Sequence, residues 1–245
     1  MIRIILCEGE TDATLLGYYL NKTAGWTYSK RPKYLNLQFS LQDNKCVLPY
    51  TNEHGEELFI CGVGGKDGFK SFFETYLYNI IRKSHRQERE FRIAVVTDRD
   101  EADIYEIEKD VAEQFSAIQC KVLNDCWTRN VFVNSFEQRC SAEFLLVVIP
   151  QGKAGALENL LMDSLSENEY DANVVEKCKG FVVESIEEID KYVSTERLII
   201  KAQLGVALSI MNPERIFSLF DEYIKSVPWE HSRVLKECFK KIIEI

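Results

Sequence analysis

Short apolar runs recur along this chain, each closed by glycine or acidic residues and followed by apolar positions at helical spacing. The first runs from Ile2 to Cys7 and passes through Glu8-Gly9 into a segment from about Thr11 to Asn21. There Ala13, Leu15, Leu16, Tyr19 and Leu20 share one broad face, the pattern of a buried strand followed by an amphipathic helix. Phe91 to Thr97 repeats the motif and leads into a helix over Asp103 to Phe115, with Ile104, Ile107, Val111, Ala112 and Phe115 on its apolar face. A third run, Leu58 to Cys61, precedes the turn Gly62-Val63-Gly64-Gly65-Lys66-Asp67-Gly68 and a helix carrying Phe69, Phe72, Phe73, Tyr76, Leu77, Ile80 and Ile81. Further strands are predicted near Ile118 to Val122, Asn130 to Val133 and Phe144 to Ile149, the last ending in a glycine turn, Pro150 to Gly155, that opens another helix. Strands alternating with helices predict an α/β fold, Rossmann-like, with a mostly parallel central sheet flanked by helices.

Two stretches depart from that rhythm. Residues from about 24 to 58 hold Trp26, Tyr28, Tyr34, Leu35 and Leu37, then Val47-Leu48 and Leu58-Phe59-Ile60 around the turn-like Asn52-Glu53-His54-Gly55, which predicts an inserted β-hairpin or short meander. Beyond Ser164 the pattern is helical, over about Ala172 to Cys178, Ser185 to Val193, Glu196 to Ile210, Pro213 to Ile224 and Ser232 to Ile243. Pro213 suits a first turn and Pro228 a break between the last two helices. The chain thus divides into an α/β core over 1–163 and a C-terminal helical extension over 164–245, without an internal repeat.

Composition narrows the class. The 245 residues are 46% hydrophobic and 28% charged, as in an ordinary globular protein. No apolar stretch approaches the ~18 residues of a membrane span, and Met1-Ile2-Arg3 leads directly into a strand, so the expectation is a cytoplasmic protein without membrane association. Eight cysteines are scattered without a C-x-x-C pair, and the three histidines, His54, His85 and His231, lie at no zinc-finger spacing from them. Reduced, buried thiols are expected rather than disulfides or structural zinc. The net charge of -9 argues against wrapping duplex DNA by bulk electrostatics. It leaves nucleic acid open as a substrate, because carboxylates that hold a metal do not repel phosphate once the cation is bound. The basic segments Ser29 to Lys33 and Arg82 to Arg89 read as solvated loop or helix ends.

The chemistry concentrates at two acidic strand ends, Glu8-Gly9-Glu10-Thr11-Asp12 and Thr97-Asp98-Arg99-Asp100. In open α/β sheets, ligands bind outside the carboxyl ends of the strands. Carboxylates gathered there repel one another unless a cation sits among them, and such oxygen donors suit Mg2+ or Mn2+. Each acid also has a plainer use as a helix cap. Capping does not explain Glu8 on the strand side of Gly9, so Glu8, Asp98 and Asp100 are read jointly as a metal site. The glycine turn at 62–68 fails the phosphate-loop test, since G-x-x-x-x-G-K-[ST] would need Gly at Ile60 and Ser or Thr at Asp67. It reads as a tight turn whose free N–H groups could still meet a phosphate.

A strand ending in Glu8-Gly9 before an acid-bearing helix, a glycine turn, and then a strand ending in Asp98-Arg99-Asp100 resembles the Toprim domain of topoisomerases, bacterial primases and OLD-type (overcoming lysogenization defect) nucleases. It is most similar to small bacterial Toprim-like proteins of unknown function whose core carries a short helical tail. Asp12 matches the acid that OLD-type enzymes place there. Gly152 to Glu158 looks like their later segment, making Glu158 a further metal ligand, and Lys201 is similar to their late lysine. The resemblance covers about residues 1–163; the flanking domains of topoisomerases and primases and the ATPase of OLD-type nucleases have no counterpart. It implies Mg2+- or Mn2+-dependent cleavage of nucleic-acid phosphodiesters or phosphoryl transfer, with a partner protein where activity requires one. Glu8, Asp12, Asp98, Asp100 and Glu158 would hold metal. Glu8, Asp98, Asp100 and Lys201 would be catalytic, with Lys153 an alternative cation. A second reading is a non-catalytic Toprim-like binding or regulatory protein, such as a defence-system subunit, with the tail aromatics Phe217, Phe220, Tyr223, Trp229 and Phe239 docking a partner. A third, a phosphoacceptor using Asp98, fits poorly with so large an insertion between the acidic strands.

Overall fold

The computed structural model describes residues 1–30, 46–82, 90–186, 191–215 and 220–245. Among these, seven strands form one sheet: β1 (Ile2–Cys7), β2 (Thr27–Tyr28), β3 (Cys46–Thr51), β4 (Glu57–Gly62), β5 (Phe91–Asp98), β6 (Thr128–Val133) and β7 (Arg139–Ile149), in the order β2-β3-β4-β1-β5-β7-β6. The four central strands, β4, β1, β5 and β7, run parallel, and β2, β3 and β6 complete the edges antiparallel. The central strands are apolar on consecutive positions because both faces are covered. In β1, Ile4 and Leu6 point into one apolar layer and Ile5 and Cys7 into the other.

The helices are α1 (Glu10–Ala24), α2 (Gly68–Phe72), α3 (Tyr78–Arg82), α4 (Ile104–Gln114), α5 (Leu157–Leu165), α6 (Glu169–Glu184), α7 (Glu196–Met211), α8 (Phe220–Ser226) and α9 (Arg233–Cys238). A π-helical turn, Phe73–Leu77, joins α2 to α3. The α2–α3 segment and α4 cover one face of the sheet through Phe69, Phe73, Leu77, Ile107 and Phe115. Helix α1 and the helices after β7 cover the other. Residues after 163 therefore bury their apolar side chains in the same cluster as α1. Tyr19 of α1 meets Phe239 edge-on at 5.3 Å, and Trp229 is fully buried beside them. Burial of each such ring contributes roughly 1.5–3 kcal/mol. This shared layer fixes α7, whose Leu204, Ala207 and Leu208 are core residues, over the sheet.

Several elements differ from the sequence expectation. The expected hairpin forms between β3 and β4, but β4 is also a strand of the sheet centre, paired in parallel with β1 from Arg3↔Leu58 to Cys7↔Gly62. No strand forms over 118–122. Instead Ser116–Ile118 is a 3-10 turn ending at Gln119 with φ 47°, because Phe115, Ile118 and Val122 bury as separate anchors. Helix α6 extends from Glu169 to Glu184, and Lys191 to Val193 is not helical. Tyr34, Leu35, Leu37, Phe217, and the basic stretches Arg31 to Lys33 and Lys83 to Arg89 lie outside the described residues. Of the tail aromatics within them, Tyr223, Trp229 and Phe239 are buried in the core. All eight thiols are free and only Cys126 is exposed. Among the described residues no helix is long and apolar enough to cross a membrane.

In chain order the parallel strands run second, first, third, fourth, so the connections leave β1 and β5 in opposite directions. A crevice opens at such a switch point, outside the carboxyl ends of the strands. Glu8 follows β1 and Asp98 ends β5, one on each side of it.

Candidate functional site

Glu8 is fixed by its backbone and its side chain together. Its carbonyl accepts from the N–H groups of Gly64 (2.9 Å) and Gly65 (2.8 Å), and Val63 N–H donates to the carbonyl of Cys7 (2.9 Å). The glycine turn thus ties the end of β4 to the end of β1. The Gly64 and Gly65 N–H groups, candidates for phosphate contact by sequence, are spent on that task. The Glu8 carboxylate, 7% exposed, accepts through Oε1 from the Thr97 hydroxyl (2.7 Å) and Asp98 N–H (2.9 Å), bridging the switch point.

Asp98, 4% exposed, accepts through Oδ1 from Leu157 N–H at the start of α5 (2.9 Å), and its Oδ2 lies 3.8 Å from the Arg197 guanidinium. Asp12 accepts through Oδ2 from Gly9 N–H (3.0 Å) at the start of α1. Asp12 thus serves the start of its own helix, as considered from sequence, whereas Asp98 meets the start of α5 and not the helix that follows it; each commits one oxygen to the bond. Asp103, rather than Asp98 or Asp100, caps α4, accepting from Tyr105 N–H at 2.8 Å. Asp100 takes a left-handed φ of 50° and exchanges two backbone hydrogen bonds with Gly155, 2.7 and 2.8 Å long. Its Oδ2 accepts from Lys66 Nζ at 2.5 Å. Glu158, in the first turn of α5, is 3.7 Å from Lys201 Nζ of α7.

These side chains face one cleft of about 590 Å³, lined by Glu8, Asp12, Asp98, Asp100, Glu158 and Lys201. Every residue nominated from sequence is there except the alternative cation Lys153, which is not among the lining residues and pairs with Asp163 at 2.5 Å. Sequence reasoning missed two cations that also line it, Lys66 and Arg197. Arg197 was detectable: it lies four residues before Lys201, which puts both on one face of α7.

Crowded burial marks the electrostatics. Burial, then the Glu8 charge, then Asp12 and Glu158, push the Asp98 carboxyl up to about 8. Burial, Glu8 and Glu158 likewise push Asp12 up to about 7. Hard oxygen donors that destabilise one another's charge are the donor set a divalent cation relieves, so Glu8, Asp12, Asp98 and Glu158 fit Mg2+ or Mn2+ by chemistry. Among the described residues no three or more His, Cys, Asp or Glu side chains already form a metal cage. Lys66, Arg197 and Lys201 stand against the acids instead.

The loop that carries this arrangement has little tolerance. At Gly155, φ is 135° and an added Cβ would lie 2.7 Å from Asn159 Oδ1, which accepts from Ala156 N–H. Gly155→Ala is expected to lower stability by about 1–3 kcal/mol in urea unfolding, through backbone strain and loss of that cap.

No protein-family model matches the chain, and no curated protein matches it. Among solved structures it is similar to a hypothetical protein of Pyrococcus horikoshii OT3, at 16% identity and a TM-score of 0.48 over 99% of this chain and 98% of that one. It also matches a glyoxylase/bleomycin resistance protein/dioxygenase domain from Frankia sp. EAN1pec, at 9% identity and a TM-score of 0.18 over 58% of this chain and 88% of that one. A hypothetical protein of S. aureus matches at 10% identity and a TM-score of 0.17, over 59% and 92% of the two chains. These likenesses carry no functional argument, and the reading below rests on the cleft.

Proposed function

We propose that this chain is a Toprim-like enzyme that uses Mg2+ or Mn2+ to cleave or transfer nucleic-acid phosphodiesters. The carrying observation is the meeting, at the sheet's switch point, of acids from three separate segments with three cations on one cleft. A phosphodiester site needs both: acids to hold a divalent cation, and protein cations to meet the phosphate oxygens. Glu8, Asp12 and Asp98, with Asp100 and Glu158, would hold the cation, which when bound supplies charge neutralisation and a more acidic water. Lys201, Arg197 and Lys66 would meet the phosphate. Glu8, oriented by Thr97, would alternatively act as general base or acid instead of holding the cation.

The test is incubation with plasmid and single-stranded DNA in Mg2+ or Mn2+. Cleavage is expected, and Asp98→Ala/Asp100→Ala should reduce it at least ~100-fold, as when a preorganised charge-stabilising group is removed. Cleavage that survives unchanged in the double variant removes the assignment.

The non-catalytic Toprim-like reading is favoured by a specific observation: Lys66 and Lys201 already neutralise Asp100 and Glu158. Under it, the wild type does not cleave DNA and binds either cation weakly or not at all.

A further inference from the structure

A second pocket, of about 320 Å³, opens beside the carboxylate cleft and shares Asp100, Glu158 and Arg197 with it. Its walls come from the turn before α5, from the Asp100-Glu101 loop and from the first turns of α7. The composition differs from that of the cleft: Ala154, Gly155, Ala156 and Ile200 give it a small-residue, apolar side. Its charged lining is acidic but for Arg197: Glu101 and Glu196 add to the shared Asp100 and Glu158. Such a lining turns away a second phosphate. An uncharged group with apolar faces and N–H donors on its edge complements it.

Resting on the phosphodiester reading of the cleft, we propose that this pocket is a nucleobase subsite for the nucleotide whose phosphate sits among the carboxylates, and that it selects bases bearing an exocyclic amino group. Three features support the assignment. The shared residues make the two spaces neighbours, as phosphate and base are within one nucleotide. Arg197 stands between them, 57% exposed at its side chain and 3.8 Å from Asp98, so its guanidinium has a phosphate on one side and a base plane to stack on at the other. Carboxylates accept from the amino groups of cytosine, adenine and guanine, whereas thymine presents carbonyl oxygens there. The neighbouring Asn159 is already oriented, its Oδ1 accepting from Ala156 N–H, so its amide nitrogen is the end left to meet a ring acceptor.

The pocket also explains two otherwise unconnected constraints. Asp100 in its left-handed conformation and Gly155 at φ 135° bring their loops together through paired backbone hydrogen bonds, and both residues line this pocket. The small side chains on either side of Gly155, Ala154 and Ala156, keep the space open.

The test is equilibrium binding, by calorimetry in Mg2+, of dCMP, dAMP, dTMP and deoxyribose 5-phosphate to the full chain and to Ala154→Trp. Ala154 is exposed on the turn, so the bulky substitution fills the pocket without entering the core; Ala154→Ser serves as the control for backbone effects. The expected result is that dCMP and dAMP bind at least ~10-fold tighter than dTMP and deoxyribose 5-phosphate, the discrimination one good base-edge contact provides. In Ala154→Trp they should fall to the level of deoxyribose 5-phosphate, with Ala154→Ser like wild type. Equal affinity for all four ligands, abolished by Asp98→Asn, would overturn the base subsite and leave the phosphodiester reading standing. Absence of binding by any phosphate would overturn both.

Discussion

Asp98→Asn will stabilise the metal-free protein at pH 8.5 and change its stability little at pH 4. Asp98 is buried against Glu8, Asp12 and Glu158, and its carboxyl is raised from 3.8 to about 8. A raised carboxyl means that the folded protein binds the proton more tightly than the unfolded chain. Between about pH 4 and pH 8 the native state carries the extra proton, so the stability contributed by this group falls as pH rises through that window and is flat above it. Asparagine carries no charge to desolvate and can keep the hydrogen bond from Leu157 N–H. At about 1.4 kcal/mol per unit, the gain at pH 8.5 is on the order of several kcal/mol, shared with Asp12 because the two acids repel each other. Urea denaturation at the two pH values in chelator checks it. A variant less stable than wild type at pH 8.5 would mean that the Arg197 contact outweighs the buried charge.

Cation affinity will rise steeply with pH. Binding requires the carboxylates ionised, and Asp98 at about 8 and Asp12 at about 7 must each release a proton. Between pH 6 and pH 8 the apparent affinity for Mn2+ should increase on the order of 100-fold or more, with proton release visible as buffer-dependent heat. Ordinary surface carboxylates are fully ionised across that range and would give a flat profile. A flat profile would therefore place the bound cation away from Asp98 and Asp12.

What the sequence disclosed and what it hid follow from the range of the interactions involved. The strand over Ile2 to Cys7 and the acids after it are local patterns: an apolar run buried on both faces, then Glu-Gly. The same holds for Phe91 to Asp98. Because a parallel α/β sheet exposes its strand ends along one edge, two such patterns place Glu8 and Asp98 on that edge; that their strands are neighbours comes from the pairing of β1 with β5. The place of β4 beside β1 was not legible. Leu58 to Cys61 reads equally well as a hairpin arm or a central strand, and it is both, pairing antiparallel with β3 and parallel with β1. The spacing of Arg197 and Lys201 puts both on one face of α7, but where that face lies was not legible. That depends on the burial of Leu204, Ala207 and Leu208 in the apolar cluster, where α7 packs on α5 and α6 rather than on the segments that carry the other acids. The failed phosphate-loop match at Ile60 and Asp67 was informative in the opposite sense, since the Gly64 and Gly65 N–H groups of that turn serve the Glu8 backbone.

The central claim is that the cleft at the switch point holds a divalent cation through Glu8 and Asp98. Its most direct test is calorimetric titration of Mn2+ at pH 8 into the wild type, Glu8→Gln and Asp98→Asn, with folding of each variant checked by circular dichroism. The account predicts saturable binding by the wild type, weakened at least ~10- to 100-fold in either variant. Absent binding in the wild type, or affinities that the two substitutions leave unchanged, would contradict it.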